Sequence, residues 1–88
     1  MSRKIVAGNW KMNMEVDQAK ELFDQINDSQ YPNDVNVVLC PPSIYLSELS
    51  RKCENINLAS QNVSNQSNGA YTGEVSASML SSICIDYC

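Results

Sequence analysis

An amide and an ammonium stand two residues apart at Asn9 and Lys11, on either side of the single tryptophan, Trp10, and directly after Gly8. Residues i and i+2 of an extended chain point to the same side. The pair is therefore expected to aim a neutral donor and a cation into one space, a combination that grips an oxyanion. It follows the apolar run Ile5-Val6-Ala7 and precedes a helical pattern. That position is the carboxyl end of a strand, where parallel α/β folds bind ligands because loops there are free to carry chemistry. Gly8 allows close backbone packing. A lone loop lysine is most often only solvated; the combination of Gly8, Asn9, Trp10 and Lys11 is what carries the argument.

The elements that position this pair follow from periodicity. Lys4 to Ala7 is short, apolar and β-branched at its centre, which predicts a strand buried on both faces. Val16, Ala19, Leu22, Phe23 and Ile26 recur at three- and four-residue steps, predicting an amphipathic helix with Asn13 as N-cap and Glu15 and Asp17 at its positive end. Asn27-Asp28-Ser29 and Pro32-Asn33-Asp34 read as turns. A second strand is expected over 35–40, stopped by Pro41-Pro42. Ser43 is then expected to cap a short helix reaching about Cys53. A third strand is expected over 56–59, a long polar loop over 60–73, and a helix from the N-cap Ser76 to about Ile83. Ile85 to Cys88 reads as the approach to a fourth strand. The order β-α-β-α-β-α-β with short joins predicts a parallel sheet with right-handed crossovers.

Composition narrows the function classes. The chain has 88 residues, a net charge of -4 and no histidine. Its acidic balance argues against nucleic-acid or anionic-membrane binding. The apolar run after the basic Ser2-Arg3-Lys4 ends at Ala7, too short for a signal-peptide core or a membrane span, so a cytoplasmic location is expected. The four cysteines, Cys40, Cys53, Cys84 and Cys88, are irregularly spaced. They read as reduced thiols packed as small hydrophobes, with no metal site. The sequons at Asn27, Asn62 and Asn65 are then accidental.

Three ordered segments carry a resemblance. Gly8-Asn9-Trp10-Lys11-Met12-Asn13, Pro42-Ser43-Ile44-Tyr45-Leu46, and Ala59-Ser60-Gln61-Asn62 running on to Gly69-Ala70-Tyr71-Thr72-Gly73-Glu74-Val75-Ser76 resemble the N-terminal part of the triosephosphate isomerase family. The fold class implied is α/β: the leading parallel β/α units of a TIM barrel, unclosed, since such barrels run to roughly 250 residues. With two sheet edges open, apolar strands buried on both faces in the whole barrel are expected to be partly exposed in these 88 residues. The implied domain is the N-terminal part, 1–88, of one barrel domain. The implied reaction interconverts dihydroxyacetone phosphate and glyceraldehyde 3-phosphate through an enediolate, in glycolysis and gluconeogenesis, with no cofactor.

The resemblance also assigns residues. Asn9 and Lys11 become catalytic and substrate-binding groups for a triose phosphate. The implied partner is a second copy of the chain. Gln61, Tyr71, Thr72 and Glu74 would be dimer contacts, with Thr72 reaching the partner's Asn9, and Met12, Asn13 and Ser43 would line the receiving pocket. Met14 stands where the family commonly has a small residue, and the loop tip Ser64–Asn68 is unusually polar. The histidine electrophile and glutamate base lie beyond this span, so the 88-residue segment alone is expected to be inactive. Glu74, the nearest carboxylate, belongs to the inter-subunit loop. The first loop lacks a glycine-rich phosphate cradle, which disfavours a nucleotide-binding module. The remaining alternative is a small, non-catalytic α/β interaction module that uses the 60–73 loop.

Overall fold

The computed structural model describes residues 3–88. Three parallel strands form one sheet in the order β1 (Lys4–Asn9), β2 (Val35–Cys40) and β3 (Asn57–Leu58). Helix α1 (Val16–Asn27) joins β1 to β2. A 3-10 turn at Ser43–Tyr45 leads into α2 (Leu46–Ser50), which joins β2 to β3, and α3 (Ala77–Ser82) follows the long loop. These are parallel β-α-β units in an open sheet, as the start of a TIM barrel requires. The approach to a fourth strand is present as a single parallel bridge, Ala59 to Tyr87, with the Ser60 N–H donating to the Tyr87 carbonyl at 2.9 Å.

β1 runs two residues further than its apolar run. Pairing continues through Gly8↔Leu39 and Asn9↔Cys40, and the Trp10 N–H donates to the Cys40 carbonyl at 3.1 Å. Asn9 is therefore the last strand residue and not a loop residue. Gly8 suits this pairing, because a Cβ there would lie 3.3 Å from the Leu39 side chain. β3 is shorter than expected, with Ala59 in the bridge.

The core lies between the sheet and the helices. Phe23 and Ala19 of α1, Leu46 and Leu49 of α2, Leu39, Leu58 and Leu80 are buried in it together with Trp10, Ile56 and Ile85. α1 matches the sequence pattern except at Val16, which is exposed. β1 is only partly covered, as expected of an apolar strand in an unclosed barrel: Ile5 is 66% and Val6 57% exposed. As an edge strand it has a neighbour on one side only among the described residues, so its β-branched side chains lack the cover that a closed barrel would supply.

Both expected caps of the first two helical segments are corrected. α1 begins after Glu15, not Asn13; the Gln18 side-chain oxygen accepts from the Glu15 N–H at 3.3 Å. The 3-10 turn begins after Pro42, so Ser43 is its first residue and not its cap, and α2 ends at Ser50. Ser76 caps α3 as expected, its hydroxyl accepting from the Met79 N–H at 3.2 Å.

Asn27, read from sequence as a turn residue, is the last residue of α1 and is buried. Its amide donates to the Lys52 carbonyl at 3.0 Å and accepts from the N–H groups of Glu54 and Asn55 at 3.0 and 3.1 Å. Asn55 returns a bond to the Asn27 carbonyl at 2.7 Å. This network ties the end of α1 to the segment entering β3.

With β1 uncovered and its outer edge unpaired, the 88-residue chain expressed alone is expected to melt without a sharp transition or to aggregate. Calorimetry at neutral pH checks this; a single cooperative endotherm would contradict it.

Candidate active site

The site is built at the carboxyl ends of β1, β2 and β3. Asn9 closes β1, and the chain then turns. Lys11 has φ 55 and Met14 φ 75, both in the left-handed region. Lys11 is thus not extended, and the simple i, i+2 argument for its shared orientation with Asn9 does not apply. What relates the two residues is a hydrogen bond: Asn9 Oδ1 accepts from the Lys11 backbone N–H at 2.9 Å. This Asx-type turn fixes the amide. Its oxygen is turned back on the loop, which leaves Nδ2 as a donor. Asn9 and Lys11 are both exposed.

A left-handed residue other than glycine costs about 1–2 kcal/mol. Two of them within four positions need support, and side chains from the next β/α units supply it. Gln61 Nε2, just after β3, donates to the Lys11 carbonyl and to the Cys40 carbonyl, each at 2.8 Å. The Tyr45 hydroxyl, in the turn after β2, donates to the Met14 carbonyl at 2.8 Å. Within the loop, Asn13 Nδ2 donates to the Trp10 carbonyl at 2.9 Å. Each such bond contributes roughly 0.5–1.5 kcal/mol, the same order as the strain.

Such a loop fixes the backbone of a lysine next to a strand-end amide donor, and a cation and a donor at strand ends are the groups that can hold an anionic ligand. Comparison with known proteins decides the family. The triosephosphate isomerase family model matches residues 4–88. The chain belongs to the triosephosphate isomerase family. The triosephosphate isomerase of Alkaliphilus metalliredigens is 43% identical over 89 residues, covering 99% of this chain and 36% of that protein. That of Alkaliphilus oremlandii is 42% identical with the same coverage, and that of Colwellia psychrerythraea is 44% identical over 94% of this chain and 35% of its own length. The chain thus spans about a third of the length of these relatives.

The residues that the triosephosphate isomerase resemblance assigns to a dimer surface are distributed as follows. Met12 is 95% exposed and Tyr71 50% exposed. Asn13, Ser43, Thr72 and Glu74 are also exposed. Ser43, Gln61 and Glu74 line one cleft of about 130 Å³. The base of the long loop is held by the Ser64 N–H donating to the Val75 carbonyl at 2.8 Å, and a turn is closed by Glu74 N–H to the Tyr71 carbonyl at 3.0 Å. Gln61 carries its amide hydrogens to acceptors in its own chain. Sequence reasoning missed that contact, and it missed the Tyr45 bond because the ring counted only as part of an apolar face.

The departure at Met14 now has a geometric meaning, since φ 75 is a conformation that favours glycine. Neither the Cys40 thiol at the site nor the Cys53 thiol at the opposite end of the sheet is poised as a nucleophile. Burial pushes the Cys40 thiol up, with Cys88 adding to the shift, and burial pushes Cys53 up too. No helix among the described residues is long and apolar enough to cross a membrane.

Tyr45→Phe keeps the ring and removes the bond to Met14. In the whole protein it is expected to lower unfolding free energy by about 1 kcal/mol. Urea denaturation with an unchanged midpoint would show that the hydroxyl gives Met14 no support.

Proposed function

We propose that the protein carrying this chain is a triosephosphate isomerase, interconverting dihydroxyacetone phosphate and glyceraldehyde 3-phosphate through an enediolate. The observation that supports this reading best is the match to the family over residues 4–88, with Asn9 and Lys11 at the carboxyl end of β1. In this reading the chain is the N-terminal part of a single barrel domain. Lys11 faces the substrate phosphate and the oxygen that becomes negative, and the Asn9 amide donates to the substrate oxygen. Donors aimed in advance at developing charge lower the barrier without reorganising at the moment of reaction. The base and the electrophile are supplied by residues outside this chain, so the segment by itself is inactive. The substrate's own carbonyl is the electron sink, and the reading involves no metal or organic cofactor.

The partner in this reading is a second copy. The 60–73 loop with Tyr71, Thr72 and Glu74 reaches beside the partner's first loop, where Met12, Asn13 and Ser43 receive it. The exposure of Met12 and Tyr71 supports this, because large apolar groups left in water are costly unless a partner covers them. The protein works in the cytoplasm, with neither nucleic acid nor membrane as partner.

In the whole protein, Asn9→Ala is expected to lower kcat/KM for triose phosphates by roughly 100- to 1000-fold while circular dichroism stays that of the parent. Parent-like turnover would remove Asn9 from the reaction. Thr72→Arg places a charge and extra bulk in the intersubunit contact, so sedimentation is expected to show monomers; an intact dimer would take Thr72 out of the interface.

A further inference from the structure

We propose that Gln61 is a positioning residue for Lys11: it holds the lysine's backbone in the left-handed turn from which the ammonium projects. The inference rests on the reading of Lys11 as a substrate-facing group. Three observations carry it.

The first is chemical. Both atoms that Gln61 meets, the carbonyl oxygens of Lys11 and Cys40, are acceptors only, at 2.8 Å each. Only the NH2 end of the amide can serve there, and it has one hydrogen for each. The contact therefore has one orientation and uses both donors.

The second is mechanical. The Cys40 carbonyl also accepts the Trp10 N–H at 3.1 Å, so it belongs to the end of the central strand. Gln61 follows Ala59 and Ser60, whose N–H groups bond the Leu39 carbonyl at 2.8 Å and the Tyr87 carbonyl at 2.9 Å. The anchor is thus itself fixed to the sheet on two sides. It fastens the Lys11 peptide to three consecutive β/α units.

The third is conformational. Lys11 has φ 55, and among the described residues no other side chain reaches its carbonyl. Without Gln61 only the Asn9 bond to the Lys11 N–H still restrains the turn, and the Lys11 carbonyl is released to relax towards the negative-φ regions that a lysine prefers. The ammonium then leaves the place where charge develops. Displacement of a charged group by about 1 Å is enough to cost on the order of a hundredfold in rate.

The test uses the whole protein with two substitutions. Gln61→Met keeps length and removes both donors. Gln61→Glu keeps shape: ionised, it presents oxygen to two carbonyl oxygens, and protonated it offers one O–H. Of the charged residues, Lys11 meets Gln61 through its backbone carbonyl and Glu74 lines the same cleft, with the Cys40 thiol on the anchoring strand. For Gln61→Met, kcat/KM is expected to fall roughly ten- to a hundredfold, with Lys11 at a changed φ in the variant's crystal structure. For Gln61→Glu, the ratio of its kcat/KM to the parent's is expected to rise as pH falls from 8 towards about 5, because the protonated acid restores one donor. A purely structural role would lower yield and melting temperature without that pH signature. A Gln61→Met protein with kcat/KM within about twofold of the parent and a positive φ at Lys11 overturns the proposal. Should Gln61→Met fail to fold, Gln61→Glu decides, and a ratio that is flat with pH overturns it. If the parent itself turns over no triose phosphate, the isomerase reading fails separately; φ at Lys11 in Gln61→Met then decides on the anchor, a positive value overturning it and a relaxed one supporting it.

Discussion

The constraint on which the rest depends is a backbone one. Between β1 and α1 the chain adopts left-handed conformations at Lys11 and Met14, neither of them glycine. No local propensity favours this. The turn exists because other parts of the chain hold its carbonyls: Gln61 from beyond β3 takes Lys11, and Tyr45 from beyond β2 takes Met14. The loop that carries Asn9 and Lys11 is thus a tertiary object. Strain held in this way is common at functional sites in general, because a side chain on a clamped backbone does not have to be ordered when a ligand arrives.

The clamp in turn relies on the sheet. Parallel pairing of β1 with β2 sets Asn9 opposite Cys40, and pairing of β2 with β3 brings the residues after Leu58 to the same end. All the strands run in one direction, so the segments following each strand meet at one end of the sheet. Residues 9–11, 40–45 and 59–61 are far apart in the chain and adjacent in space for that reason. At the opposite end, the buried Asn27 does the complementary work, bonding α1 to the entry of β3 through the Lys52, Glu54 and Asn55 backbone. Buried amides of this kind are retained where every donor and acceptor finds a partner.

Much of the architecture was legible from the residues. The boundaries of β2 were read from Val37-Val38-Leu39 and the prolines that follow. The stripe of Ala19, Leu22, Phe23 and Ile26 located α1, and Ser76 marked the start of α3. Caps were less legible. Asn13 and Ser43 have the right chemistry for N-caps, but Asn13 bonds the Trp10 carbonyl and Ser43 already lies in the 3-10 turn. A short polar side chain can satisfy several neighbouring backbone groups, and sequence does not rank them. The exposure of β1 follows from the open sheet and not from its residues. Its apolar composition suits a strand covered on both faces, whereas its edge position leaves Ile5 and Val6 in water.

What the sequence by itself determined is the set of elements, their order, and the family, because hydrophobic period, turn residues and the ordered motifs around Asn9, Ser43 and Gln61 are local in the chain. What only the tertiary structure decided is how the site residues are held. The Lys11 conformation, the intrachain use of Gln61 and Tyr45, and the buried role of Asn27 all depend on hydrogen bonds between residues tens of positions apart. Such bonds leave no periodic trace: a glutamine that anchors a distant carbonyl and a glutamine that faces water are the same letter until the strands align them.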